Sequence, residues 1–274
     1  MNANSHSRFE AVEPLMGTLF GLTLWAKSAA EAQAGFAAAI ARAAALNKLL
    51  SDYDPNSELN AINQQPRTVP PELYRVLKFA RELSEISNGA FDPTIGPLTR
   101  LWRARIPLTG QAKALVNWRD LHLESGKVWL ARPGMSLDLG AIGKGFAADE
   151  MLRTFRDRGL PHALIAASGD IVCGDAPPGA RGWTVAAAGR RLTLRRAAVS
   201  TSGDSAQFYV ENGVRHSHIL DPRRGAALTE VLEVSVVAPN GMTADALATT
   251  VRVLGPKAAG PIVRRYRAHI IGQN

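Results

Sequence analysis

Apolar positions recur along this chain with two periods, near two and near 3.6, and the alternation between them predicts a mixture of strands and helices. Residues 19–25 have the apolar content and length of a strand, and residues 29–50 carry Phe36, Ile40, Ala43, Leu46 and Leu50 at helical spacing. A second helix is expected to start at Pro71, which suits a first helical turn, and to stop near Asn88-Gly89. Further strands are expected at residues 127–130, 136–139, 163–167, 183–187, 197–200, 207–210 and 231–237, and further helices at 145–158, 243–254 and 257–267. Because this order lacks a strict βαβ alternation, the pattern predicts an α+β fold with a largely antiparallel sheet flanked by helices.

A chain of 274 residues with 46% hydrophobic composition can bury a sizeable core. No linker, charge run or low-complexity block divides it, and no repeat is evident, so one continuous domain over residues 13–274 is expected after a tail at 1–12. The 32 basic residues exceed the 24 acidic ones by 8, which favours a polyanionic ligand or an acidic protein partner. Its arginines are scattered, and no basic strip is interleaved with aromatics, so nucleic acid is not the expected partner. A single cysteine, Cys173, excludes an internal disulfide and a cysteine-clustered metal site. There is no apolar run of the length that spans a membrane, and the N-terminus lacks the basic start and apolar stretch of a signal peptide. The expectation is therefore a cytoplasmic protein, or a periplasmic one if the N-terminus was trimmed before Met1.

Three stretches carry candidate chemistry. In SLDLGAIGKGFAAD a strand-like run leads through Gly140, Gly143 and Gly145 into a helix, a junction where backbone can approach a phosphate and the helix start offers free N–H groups. It is neither the dinucleotide fingerprint nor a P-loop, since Lys144 is followed by Gly145, and a plain strand-to-helix turn reads it equally well. In MTADALATTVRVLG, Asp245 and Thr249 stand four apart and share a helix face, which suits magnesium beside a phosphate; a dipole-stabilising Asp with a packed Thr is the other reading. In HSHILDPRRG, a histidine beside a turn can act as a general base or simply bind backbone. YDPNSELNAIN and NGAFDPTIGPL are turn-rich stretches of the kind that carry sites.

Together, in this order, the blocks resemble one family. The chain is similar to the FAD:protein FMN transferases, the ApbE-like flavin transferases, from Met16-Gly17-Thr18 through YDPNSELNAIN, SNGAFDPTIGPL, SLDLGAIGKGFAAD, ASGDI, AVSTSGDSAQFY, HSHILDPRRG and TADALATTVRVLGP. The resemblance implies the ApbE-like fold and flavin contacts at Met16, Tyr53, Ala90, Phe91 and Asp92; an aromatic face such as Tyr53 can stack on an isoalloxazine ring. It also implies that Asp138 and Lys144 lie toward FAD and that the backbone carbonyl of Ala141 joins Asp245 and Thr249 on Mg2+. His218 and Ile219 match the family's flavin-associated and catalytic histidine block. Two positions depart from the family pattern. Ser168 stands where relatives often have a glycine before Gly-Asp-Ile, and Ala248 stands where some carry a further acidic ligand, which points to weaker magnesium binding or one ion instead of two.

The implied activity is magnesium-dependent transfer of FMN from FAD to a Thr or Ser hydroxyl of an acceptor protein, with AMP leaving and His218 taking the proton. A magnesium-dependent FAD pyrophosphatase and a non-catalytic flavin carrier are the alternatives.

Overall fold

The structure, a computed structural model, describes residues 6–203, 207–211 and 213–273. Its centre is a seven-stranded sheet in the order Ser7–Leu15, Thr18–Ala26, Ala163–Ala167, Asp170–Cys173, Ala197–Ser202, Val234–Ala238 and His269–Gln273, every neighbouring pair antiparallel. The period of two sorts the strand residues onto two faces. Phe20, Leu22, Leu24, Ala163, Ile165, Val172, Ala198, Val234 and Val236 point into the main core, which they share with Phe36, Leu46, Phe146, Met151, Leu247 and Val251 of the helices Ala29–Leu50, Gly143–Asp157 and Gly241–Leu254. Cys173 and Val199 point the other way, into a smaller cluster closed by Trp183, Val185 and Leu194 of the hairpin Trp183–Ala187 and Arg190–Leu194. The expected α+β architecture with a largely antiparallel sheet is what the chain adopts.

Four hairpin turns share one device, a non-glycine residue and a glycine both at positive φ: Met16-Gly17, Ser125-Gly126, Ser168-Gly169 and Ala188-Gly189. Positive φ at both central positions is the mark of the tight turn whose twist matches the flanking strands. Ser168, at φ 45°, therefore occupies a position where glycine would sit with less strain.

The first long helix spans Ala29–Leu50 as expected; Ser28 caps it by accepting from the Glu31 amide at 3.2 Å, and Glu31 reaches back to the Lys27 amide at 2.7 Å. Pro71–Ile86 also begins where expected. The later helices start two residues early or one, at Gly143, Gly241 and Pro256, because glycines and proline occupy the first helical turns. Two expectations are corrected. Residues 7–12 are no tail but most of the edge strand Ser7–Leu15, paired along its length with Thr18–Ala26. Residues 136–139 form no ladder beyond an isolated bridge from Ser136 to Ile95, since the Leu137 amide donates to Asn63 Oδ1 and the Asp138 amide to the Pro93 carbonyl.

Candidate functional site

The helices Gly143–Asp157 and Gly241–Leu254 start side by side, and glycines let them. A Cβ added at Gly145 would run into the Gly241 carbonyl and stand 2.8 Å from Asp245 Cβ. At this contact the Gly145 amide, one of the first-turn donors that have no acceptor within the helix, donates to Asp245 Oδ2 at 3.1 Å. A pair of bonds from the second helix start fixes the arrangement: the Gly241 and Met242 amides donate to the two oxygens of Asp149 at 2.7 and 2.9 Å, while Asn240 accepts from the Thr243 amide at 2.9 Å. Burial raises Asp149 to about 6, against the pull of those two amides.

Between the two starts lies Lys144. Its Nζ stands 3.3 Å from the Gly140 carbonyl, 3.4 Å from Asp170 Oδ2 and 3.6 Å from Asp245 Oδ2. Burial alone would lower the Lys144 pKa, but the Asp245 and Asp170 carboxylates outweigh it and raise it, so the ammonium stays charged. Burial, and next the facing Asp245, push Asp170 upward; Lys144 and the Ser200 hydroxyl oppose them. A half-buried cation at a glycine-built helix start has the chemistry to bind an anionic group such as phosphate.

Gly140 connects this centre to a second one. Its amide donates to Asp138 Oδ1 at 2.8 Å, and Arg103 donates to Asp138 Oδ2 at 2.8 Å and also to Asp52. The Arg103 guanidinium lies 4.1 Å over the ring of Tyr53, whose side is otherwise open: Tyr53 is 74% exposed. Asp52 and Tyr53 border a cavity of about 390 Å³, with Asn60, Asn63, Arg100 and Met135 among its other walls. Trp102, next to Arg103, meets Tyr209 at 5.7 Å and His218 at 6.4 Å between ring centroids. His218 Nδ1 is 3.0 Å from the Gln207 carbonyl. A carbonyl only accepts, so Nδ1 carries a proton and donates it to this bond.

The other expected residues fall as follows. Met16, in the first hairpin turn, brings its methyl to within 3.7 Å of where a Gly143 Cβ would stand, at the start of the Lys144 helix. Ala90 and Phe91 are buried, and the Phe91 amide donates to Ser87 Oγ at 3.1 Å. The Asp92 carboxylate is engaged within its own loop: it accepts from the Thr94 amide at 2.8 Å, the Thr94 hydroxyl at 2.6 Å and the Trp118 amide at 3.0 Å. Ile219 is buried with its amide on Ser217 Oγ at 3.0 Å. Ala248 is wholly buried in the main core, so its face of the helix is taken up by packing. Asp149, Asp170, Ser200 and Arg103 received no role from sequence reasoning. Asp149 and Asp170 lay inside the quoted blocks; for Arg103 the sequence held no signal.

Ala141, Asp245 and Thr249 offer a carbonyl, a carboxylate and a hydroxyl, the hard oxygen donors that suit Mg2+. Ala141 precedes the N-cap Ile142, so its carbonyl has no place in the helix ladder, and Asp245 is held at the same helix start by the Gly145 amide, which suits them to the ion. Among the described residues no group of three His, Cys, Asp or Glu side chains could hold a metal.

Fold and site thus define a single-domain α+β protein with a charged cluster around Lys144 at a helix start, linked through Asp138 and Arg103 to a largely polar cavity beside Tyr53. The chain belongs to the ApbE family, whose model matches residues 16–271. It is 33% identical to the FAD:protein FMN transferase of Treponema pallidum, over 94% of this chain and 82% of that protein. To the FAD:protein FMN transferase of Klebsiella pneumoniae it is 28% identical, over 91% of this chain and 79% of the relative. Among solved structures, the apo flavinyl transferase ApbE of Pseudomonas stutzeri superposes with a TM-score of 0.86 at 25% identity, covering 99% of this chain and 93% of that one. The Vibrio cholerae flavin transferase ApbE gives 0.85 at 24% identity, over 97% and 93%.

Proposed function

We propose that this member of the ApbE family transfers FMN from FAD to a Thr or Ser hydroxyl of an acceptor protein, with Mg2+ held by Ala141, Asp245 and Thr249 and with AMP released. The observation that carries this reading is the half-buried Lys144 ammonium, held by Gly140, Asp170 and Asp245 at a helix start.

A pyrophosphate placed at that helix start meets the fixed positive charge of Lys144, which favours charge spreading over its oxygens during transfer; the Ile142, Gly143 and Gly145 amides there are already engaged within the chain. Mg2+ bound there supplies neutralisation of the pyrophosphate and of the leaving phosphate. Tyr53 and the cavity beside it suit the flat flavin ring, with Arg103 behind the tyrosine. The acceptor hydroxyl oxygen bonds to the phosphorus nearer riboflavin, the bridging P–O bond breaks, and AMP departs with that oxygen. The hydroxyl proton passes to the His218 imidazole, which the Gln207 carbonyl orients through Nδ1. Positioning and charge do most of this work, as in other phosphoryl transfers.

The test is mass spectrometry of a threonine-containing acceptor after incubation with the protein, FAD and Mg2+, with AMP assayed in the same tube. An FMN-sized gain on the acceptor, matched by AMP and abolished by chelator, is expected. AMP and free FMN with an unmodified acceptor would replace the transferase by a pyrophosphatase, and intact bound FAD would leave a carrier.

A further inference from the structure

We infer that Asp170, fixed by Ser200, is a positioning residue that holds the Lys144 ammonium at the phosphate cradle; this rests on the reading of Lys144 as a phosphate ligand. Asp170 opens the strand Asp170–Cys173 and is 3% exposed. Directly opposite on the neighbouring strand, Ser200 donates its hydroxyl to Asp170 Oδ1. The other oxygen, Oδ2, has no hydrogen-bond donor among the described residues and faces Lys144 Nζ at 3.4 Å.

Leaving a carboxylate oxygen unbonded in a core is costly, and an apolar residue would fill a sheet position at no such cost. The charge is therefore explained by its one ionic partner. Of the three oxygens around Nζ, Gly140 offers a neutral carbonyl and Asp245 belongs to the metal donors, which leaves Asp170 as the counter-ion with no other duty. Its backbone is anchored in the sheet on both sides, by Ala167 across the hairpin turn and by Ser200. Lysine side chains are long and rotamer-rich, so a rigid counter-ion below the ammonium removes, before the ligand arrives, conformations that would otherwise be lost on binding.

The experiment measures affinity for FAD and for riboflavin, which lacks the phosphates, with chelator present, in the full chain and in Asp170→Asn, Ser200→Ala and Lys144→Met. Asp170→Asn is expected to weaken FAD binding about 10-fold, the scale of one charge-assisted contact, and to leave riboflavin unchanged. Ser200→Ala is expected to go the same way by about 3-fold, and Asp170→Asn added to Lys144→Met is expected to change FAD affinity less than about 2-fold. Unchanged FAD affinity in Asp170→Asn, or equal losses for FAD and riboflavin, would overturn the inference. If Asp170→Asn does not fold, Ser200→Ala and its combination with Lys144→Met decide by the same comparisons. A full chain that binds no FAD would instead sink the reading of the site on which this rests.

Discussion

Arg103 and Asp138 join the two halves of the site: Arg103 donates to Asp138 Oδ2 at 2.8 Å while the other oxygen of that carboxylate holds the Gly140 amide, one residue-length from Lys144. The same guanidinium reaches Asp52 and covers Tyr53. Arg103→Ala is therefore expected to loosen the aromatic side and the loop at Gly140 together, weakening FAD about 10-fold in calorimetric titration. Arg103→Lys is expected to restore little of this, because a point charge cannot bridge two carboxylates and stack on a ring at once. Recovery of full affinity with lysine would show that charge alone suffices.

Asp245 carries two duties, as a proposed metal ligand and as acceptor of the Gly145 amide. Asp245→Ala is expected to abolish the magnesium dependence of turnover while retaining some FAD binding, since Lys144 and Tyr53 remain. Titrating activity and FAD affinity against Mg2+ checks both parts; a variant that still responds to the metal as the parent does would move the ion elsewhere.

His218 has its proton fixed on Nδ1 by the Gln207 carbonyl. His218→Ala is expected to slow transfer by roughly two to four orders of magnitude with FAD still bound. Single-turnover transfer measured across pH checks it, and a variant with the parent's rate at every pH would assign the base to another group.

Much of the fold was legible because its signals are local. The Ala29–Leu50 helix and the strands Lys127–Leu130, Ala163–Ala167 and Trp183–Ala187 have the expected bounds, each set by an apolar period with turn residues at its ends. The edge strand Ser7–Leu15 was missed because exposed Val12 and half-buried Glu13 blur its apolar alternation and its pairing is dictated by the Met16-Gly17 turn. The FMN-transferase family was readable from ordered blocks. Lys144 and Asp245 do meet, at 3.6 Å, yet the partners around them were not readable: Asp149 caps a helix 92 residues further on, and Ser200 lies 30 residues from Asp170. Such contacts depend on sheet register and helix packing, which no local window contains.

Glu150, one position beyond the Asp149 cap, offers a stability test separate from chemistry. Its buried carboxylate takes Arg42 at 2.6 Å, Arg75 at 2.7 Å and Arg153 at 2.7 Å, tying three helices together. Burial alone would raise its pKa, but the three guanidinium groups hold it down at about 2. A carboxyl whose folded pKa lies below its unfolded value contributes stability that is full above about 4.5 and disappears as the pH falls toward about 2. Because the arginines are partly exposed, solvent screens the pairs, and Glu150→Gln is expected to cost about 1–3 kcal/mol at pH 7. Thermal unfolding of both proteins from pH 7 downward should show the gap between them constant to about pH 4.5 and then narrowing. A gap that stays the same down to pH 3 would mean that the side chain contributes through packing and hydrogen bonding and that its charge contributes little.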